Sequence, residues 1–183
     1  MTKAHAYYQL TKPGVLFGNA LSAAAGYLLA SRGHVDMLGF VWLCIGTTLT
    51  IASACALNNY LDQDIDAKMS RTKKRATWIK MVGPRNAVIF AVILGIVGFA
   101  VLIALTNWWV VVVEIAGYVD YVVLYGMWSK RRSWHGTAIG ALSGAAPILA
   151  GYAGAAGMID LGGILTFLVI FVWQMPEFYS ISI

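Results

Sequence analysis

Charge is scarce in this chain of 183 residues. Charged side chains make up 11% of it and hydrophobic ones 60%, whereas a soluble domain carries about 25% charged residues. So few charges cannot cover a globular surface, which excludes an ordinary soluble domain. The composition indicates a polytopic membrane protein, with the lipid bilayer as its surroundings.

Soft metal ligands are also few. The two cysteines, Cys44 and Cys55, lie in apolar segments without CxxC or Cys/His ligand spacing, and the histidines are scattered at positions 5, 34 and 135. This excludes a zinc or iron–sulfur site of the usual spacing and predicts that the cysteines are small core residues. We interpret His135 as a loop histidine.

Long apolar segments dominate what is present. They predict six membrane spans near residues 14–31, 37–57, 87–105, 108–128, 136–156 and 162–180. The expected fold class is therefore an all-α, polytopic transmembrane helical bundle. We expect one domain over residues 1–183, with an aspartate-rich motif at 58–66 and a polar loop at 67–86.

The few charges are distributed very unevenly between the two sides of this predicted bundle. Twelve of the thirteen Lys and Arg residues fall on one side, and Arg32 alone falls on the other. The positive-inside rule then places the N-terminus, the motif and the 67–86 loop on the cytoplasmic side of a bacterial-type inner or plasma membrane. Topology thus accounts for the net charge of +5, and no nucleic-acid partner is predicted.

The sequence NNYLDQDID at 58–66 directly follows the second apolar segment. On a helix, Asn58, Asp62 and Asp66 share one face, with about 40° of drift per step over a rise of about 12 Å. Asp64 points elsewhere. Two carboxylates one turn apart, with an amide oxygen beside them, suit Mg²⁺, which takes one or two carboxylates and completes its coordination with phosphate oxygens and water.

A basic stretch at 68–75 follows the aspartates. Arg71 and Arg75 are four residues apart, and guanidinium groups suit phosphate oxygens. Carboxylates followed by cations predict a site for a metal-bound diphosphate. The alternative is structural: an acidic helix end beside a basic loop, paired in a solvated cluster of salt bridges.

The segment NNYLDQDIDAKMSRTKKR at 58–75 resembles the first aspartate-rich motif of the intramembrane aromatic prenyltransferases. The segments LTKPG at 10–14, GALSGAAP at 140–147 and WQMP at 173–176 resemble the protohaem IX farnesyltransferase branch, and the resemblance covers nearly the whole chain. It implies Mg²⁺-dependent transfer of a farnesyl group from farnesyl diphosphate to a vinyl group of haem B, which yields haem O and diphosphate. It also implies a complete bundle of about nine spans.

The resemblance also assigns residues. Asn58, Asp62 and Asp66 would be the catalytic and metal-binding residues. The diphosphate would be contacted by Asn59, Arg71, Arg75 and Lys130. Farnesyl diphosphate and haem B are the expected partners, and no oligomeric state is predicted.

Several positions depart from the family pattern. A second aspartate-rich motif does not occur before Ile183, so we expect poor turnover by the 183-residue chain alone. Glu177 and Ala76 replace the usual His and Pro. Glu114 and Asp120 lie inside the fourth span, where an acidic residue costs about 2.5–3.5 kcal/mol on insertion scales.

We interpret each of these two intramembrane acids as protonated or hydrogen-bonded, near Tyr118 or Tyr121. Three alternative functions remain open at this point. The chain could prenylate another acceptor, such as a quinone precursor or a chlorophyll-type ring. It could be a transporter with Glu114 and Asp120 along its path, or a non-catalytic membrane fragment.

Overall fold

The structure is a computed structural model. It describes residues 2–68, 72–129 and 136–181, except for the side chains of Lys73, Thr137 and residues 176–181. Within these ranges the chain is helical and contains no β-strand, which confirms the predicted all-α class.

Nine α-helices and one π-helix follow one another in the described ranges. Their bounds are α1 Lys3–Leu10, α2 Pro13–Ser31, α3 Met37–Leu61, α4 Gln63–Asp66, α5 Lys73–Val82, α6 Pro84–Leu105, α7 Trp108–Val119, the π-helix Asp120–Ser129, α8 Gly136–Ala156 and α9 Leu161–Ile181.

All six predicted spans coincide with helices. Helices α2, α3, α6, α7 with the π-helix, and α8 are each long and apolar enough to cross a membrane. Helix α9 is apolar over Leu161–Met175. The mean hydropathy of the most apolar window, in α6, is 3.1, and many large apolar side chains on the outside of the bundle are exposed. This surface suits contact with lipid rather than water.

The helices begin where the sequence offers suitable residues. Pro13 and Pro84 stand at the first positions of α2 and α6, where a missing N–H costs nothing. Asp36 and Asn107 cap α3 and α7 by accepting hydrogen bonds from backbone N–H groups one turn on.

Small residues allow helices α2 and α8 to touch along their backbones. A Cβ atom added to Gly26 would lie 2.1 Å from the carbonyl oxygen of Ile148, and one added to Gly151 would lie 1.9 Å from that of Ala23. No side chain fits at either position, so these two glycines set the separation of the helices.

The polar connection 67–86 between the second and third predicted spans contains a short helix, α5, at its centre. Ala76, Ile79 and Val82 repeat every three residues, so they share one face, and all three are buried. This face packs with Ala6 and Leu10 of α1. The end of the bundle that carries Asp62, Asp66 and α5, here called the motif end, is therefore covered by two short helices.

Candidate active site

The three motif residues lie together in the interior of the motif end. Asn58 and Asp62 are each 1% exposed and Asp66 is 3% exposed. Asp64 is exposed, as expected for a side chain outside the shared face. The predicted arrangement of Asn58, Asp62 and Asp66 on one side of the chain is thus present, with all three turned inward.

The helix that carries them is interrupted at Asp62, which the spacing argument did not predict. Helix α3 ends at Leu61 and α4 begins at Gln63, while Asp62 adopts φ −90° and ψ 0°. Short polar side chains compete with the helix for backbone groups, which favours an end where apolar sequence gives way to polar. Backbone bonds still join the three residues, from Asp62 N to Asn58 O at 2.9 Å and from Asp66 N to Asp62 O at 2.8 Å.

The donor atoms fit Mg²⁺. Within the described residues, the buried Asp66 Oδ2 has no hydrogen-bond partner, and a buried carboxylate oxygen is costly unless a cation or donor satisfies it. No group of three His, Cys, Asp or Glu side chains gathers in the described ranges. Mg²⁺ does not require one, because one or two carboxylates suffice when substrate phosphates supply other ligands.

Asn59 has a structural role in addition to its predicted role in the site. Its amide Nδ2 donates to the carbonyl oxygen of Leu10 at 2.7 Å, which ties the last turn of α3 to α1. Its Oδ1 has no partner among the described residues. That oxygen is an acceptor, so it suits a cation better than a phosphate oxygen; the predicted diphosphate contact stays a prediction.

Of the predicted cations, Arg75 is the one that the structure describes. It is half-buried in α5, which packs against α3 and α4. The hydroxyl of Thr72, just before α5, donates to the carbonyl oxygen of Asp66 at 3.4 Å. Arg75 therefore lies on an element attached to the motif. Arg71, Lys130 and His135 lie outside the described residues, as does the side chain of Glu177.

Lys12 is a neighbour of the motif to which the sequence argument gave no role. Its Nζ donates to Asn58 Oδ1 and, at 3.3 Å, to the hydroxyl of Tyr121. In the sequence, Lys12 belongs to the segment LTKPG, which carries part of the family resemblance. Its position just before a helix-starting proline was the available signal, but sequence separation hid the contact with residue 58.

The π-helix brings Tyr121 to this place and was also not predicted. The fourth span is regular only to Val119, and Asp120–Ser129 forms wider turns, a feature frequent at functional sites. Gly126 allows the π-helix to approach the motif, since a Cβ there would lie 3.3 Å from Asn58 Nδ2. Tyr121 stacks on Tyr125 with ring centroids 5.8 Å apart.

Of the two intramembrane acids, Glu114 is hydrogen-bonded, although not to an expected tyrosine. Glu114 is buried, and its two oxygens lie 2.8 Å from the hydroxyl oxygens of Thr47 and Thr50 on α3. Asp120 is also buried, and its Oδ2 has no hydrogen-bond partner among the described residues. Glu114 thus links its own helix to α3.

The comparison with protein families is decisive. The model of the UbiA prenyltransferase family matches residues 19–183, which include the whole motif and α5. The chain belongs to the UbiA prenyltransferase family. In this UbiA chain, the two buried carboxylates at the motif end, Asp62 and Asp66, belong to the aspartate-rich segment 58–66 that the sequence analysis identified.

Curated relatives agree with this assignment. The chain is similar to the protoheme IX farnesyltransferase of Marinomonas sp. (strain MWYL1), with 46% identity over 97% of this chain and 60% of the relative. The protoheme IX farnesyltransferase of Acinetobacter baylyi is also 46% identical, over 97% of this chain and 61% of its own length. This UbiA chain therefore spans about three fifths of the length of these relatives.

Solved structures support the fold. A structure of digeranylgeranylglyceryl phosphate synthase aligns with a TM-score of 0.82 at 20% identity, over 96% of this chain and 61% of the other. The apo structure of a UbiA homolog from Aeropyrum pernix K1 aligns with a TM-score of 0.72 at 20% identity, over 89% and 60% of the two chains. At this identity the likeness concerns the UbiA fold alone.

Proposed function

We propose that this chain belongs to an enzyme that transfers a farnesyl group from farnesyl diphosphate to a vinyl group of haem B, giving haem O and diphosphate. The observation that carries the proposal is the buried set of Asn58, Asp62 and Asp66 at one end of a UbiA-family membrane bundle. The names of the 46%-identical relatives support haem as the acceptor.

Asp62 and Asp66 would hold the metal, and Asn58 would add an amide oxygen or orient the carboxylates. When bound, Mg²⁺ would neutralise the diphosphate and so favour its departure. The burial of all three residues keeps bulk water from the carboxylates, so each charge acts more strongly on the substrate than it would in solution.

In this reaction, the bond between C1 of the farnesyl group and the diphosphate oxygen breaks, and its electron pair leaves with the diphosphate. The vinyl π bond then forms the new bond to C1, water captures the resulting cation, and a proton is released. Arg75, with Arg71 and Lys130 as further candidates, would balance the charge of the departing diphosphate. The apolar interior would keep water from the farnesyl cation until the vinyl group has reacted.

We also propose that the motif end faces the cytoplasm. The twelve-to-one distribution of Lys and Arg supports this orientation, as does the place of α5, which carries several of these cations beside the motif. Farnesyl diphosphate would then enter from the cytoplasmic side, with its apolar tail in the bilayer.

The test is the reaction itself. The chain in lipid nanodiscs would receive farnesyl diphosphate, haem B and Mg²⁺ over a long incubation, and haem O, which we expect at a low yield from these 183 residues, would be measured by chromatography with mass detection. Haem O that disappears on chelation of Mg²⁺ and with Asp62→Asn supports the proposal. Diphosphate release with a quinone precursor but not with haem B would assign another acceptor. Failure to bind farnesyl diphosphate at any Mg²⁺ concentration would refute the proposal.

A further inference from the structure

Lys12 lies where three elements meet at the motif end. It is the residue before α2, and its backbone is left-handed, with φ 51° and ψ 69°. Such a conformation is uncommon for a residue with a Cβ atom, and residues held in it cluster at functional sites. From there the side chain reaches α3 at Asn58 and the π-helix at Tyr121.

Lys12 donates hydrogen bonds to two oxygen acceptors. The hydroxyl oxygen of Tyr121 accepts from Lys12 Nζ at 3.3 Å. Asn58 likewise offers its carbonyl oxygen Oδ1. Both partners accept, so Lys12 is the donor to each, as an ammonium group is. The same Nζ lies 5.8 Å from the centroid of the Tyr121 ring, at the hydroxyl edge of the ring, so the contact with Tyr121 is through its hydroxyl group.

The Lys12 side chain lies next to the line formed by Asn58, Asp62 and Asp66, here called the carboxylate stripe. Asn58 stands one turn before Asp62, a rise of about 6 Å along the helix, and backbone bonds continue the stripe to Asp66. Arg75 approaches the motif from α5, whereas Lys12 approaches it from the side of α2 and the π-helix. A ligand held by the carboxylates would therefore meet positive charge on two sides.

We propose that Lys12 is a diphosphate-binding residue of the site, held in place by Asn58 and Tyr121. This inference rests on the proposed function, because it assumes that the carboxylates hold a metal-bound diphosphate. A lysine serves here as a point charge, which suits a ligand whose charge is spread over several oxygens. The positive charge of Lys12 would attract the diphosphate in the bound substrate as well as during its departure. A measurement of diphosphate binding therefore detects its contribution.

The experiment measures binding of inorganic diphosphate to the chain in nanodiscs by isothermal titration calorimetry at saturating Mg²⁺. Lys12→Gln should weaken binding about 10- to 100-fold, the loss expected for one contact between a charged group and its partner. Lys80→Gln is the matched control, since it removes the same charge from an exposed position of α5, and it should stay within about twofold.

Two further variants test whether the effect is merely structural. Lys12→Arg should recover much of the affinity because it keeps the charge, and Tyr121→Phe should weaken binding less than Lys12→Gln does. Binding of farnesol, which has the farnesyl chain without the charge, should be unchanged in Lys12→Gln. Equal loss for farnesol and diphosphate would mean a distorted site and would overturn the inference.

The outcomes separate this inference from the proposed function. If Lys12→Gln binds diphosphate as tightly as the unchanged chain while Asp62→Asn does not bind it, Lys12 has no such role and the aspartate site stands. If the unchanged chain binds no diphosphate at any Mg²⁺ concentration, both proposals fail. A selective loss of diphosphate with retained farnesol binding supports Lys12.

Discussion

The sharpest prediction concerns Asp66→Asn, because the structure gives this substitution opposite effects on stability and on binding. Asp66 is 3% exposed and one of its oxygens has no partner in the described ranges. A buried carboxylate without a cation is unfavourable, so the amide should leave the free energy of unfolding unchanged or slightly higher without Mg²⁺. The same substitution removes a metal ligand, so stabilisation by Mg²⁺ and diphosphate should disappear.

The size of the lost stabilisation follows from linkage. A ligand present at about 100 times its Kd stabilises the native state by about 2.7 kcal/mol. For a chain of 183 residues, each kcal/mol raises Tm by about 2–4 °C. The unchanged chain should therefore gain about 5–10 °C on addition of Mg²⁺ and diphosphate, and Asp66→Asn should gain almost nothing.

Thermal unfolding in nanodiscs, followed by tryptophan fluorescence, would measure both effects. Asp64→Asn is the matched control, because it makes the same chemical change two residues away at an exposed position. It should keep the full rise in Tm. A full rise in Asp66→Asn, or an equal loss in Asp64→Asn, would contradict the assignment of the buried stripe as the metal site.

Three other predictions follow from the fold. Gly26→Ala should lower stability by about 1–3 kcal/mol through the clash with α8, whereas Gly18→Ala, with open space around it, should be neutral in the same unfolding measurement. Glu114→Gln should keep activity and fold, because the amide can still bond the two threonine hydroxyls; a loss of haem O formation without unfolding would instead give Glu114 a functional role. Cysteines placed at Lys74 and His34, both exposed, should react with impermeant reagents from opposite sides of the membrane, and labelling from one side would refute the topology.

Much of the fold follows from properties that the sequence shows locally. A span needs only a sufficient length of apolar residues, so all six predicted segments coincide with helices. The motif is likewise local, because Asn58, Asp62 and Asp66 follow one another along the backbone. Even where the helix breaks at Asp62, each residue remains bonded to the one four positions later, so spacing alone placed them together.

The features that were missed depend on neighbours. Helix α5 sits in a segment rich in charge, with Gly83 and Pro84 after it, and that composition suggested a loop. The repeat of Ala76, Ile79 and Val82 was visible, but it gains meaning only when α1 covers it.

The π-helix and the role of Lys12 have even weaker signals. The composition of residues 120–129 does not distinguish a π-helix from an α-helix, because an apolar segment has the same hydropathy in either conformation. The hydrogen bond between Lys12 and Asn58 joins residues 46 positions apart, so it becomes visible only after α1, α2 and α3 are placed.

The bond from Asn59 to the carbonyl oxygen of Leu10 has a practical consequence for handling the protein. Helix α1 contains no proposed ligand, yet it holds the last turn of α3 and the buried face of α5. Deleting residues 3–10 during expression design would thus loosen the motif without touching any substrate-binding group. A purification tag should be placed before Lys3, which is exposed. A flexible linker between the tag and Lys3 would leave α1 free to pack against α3 and α5.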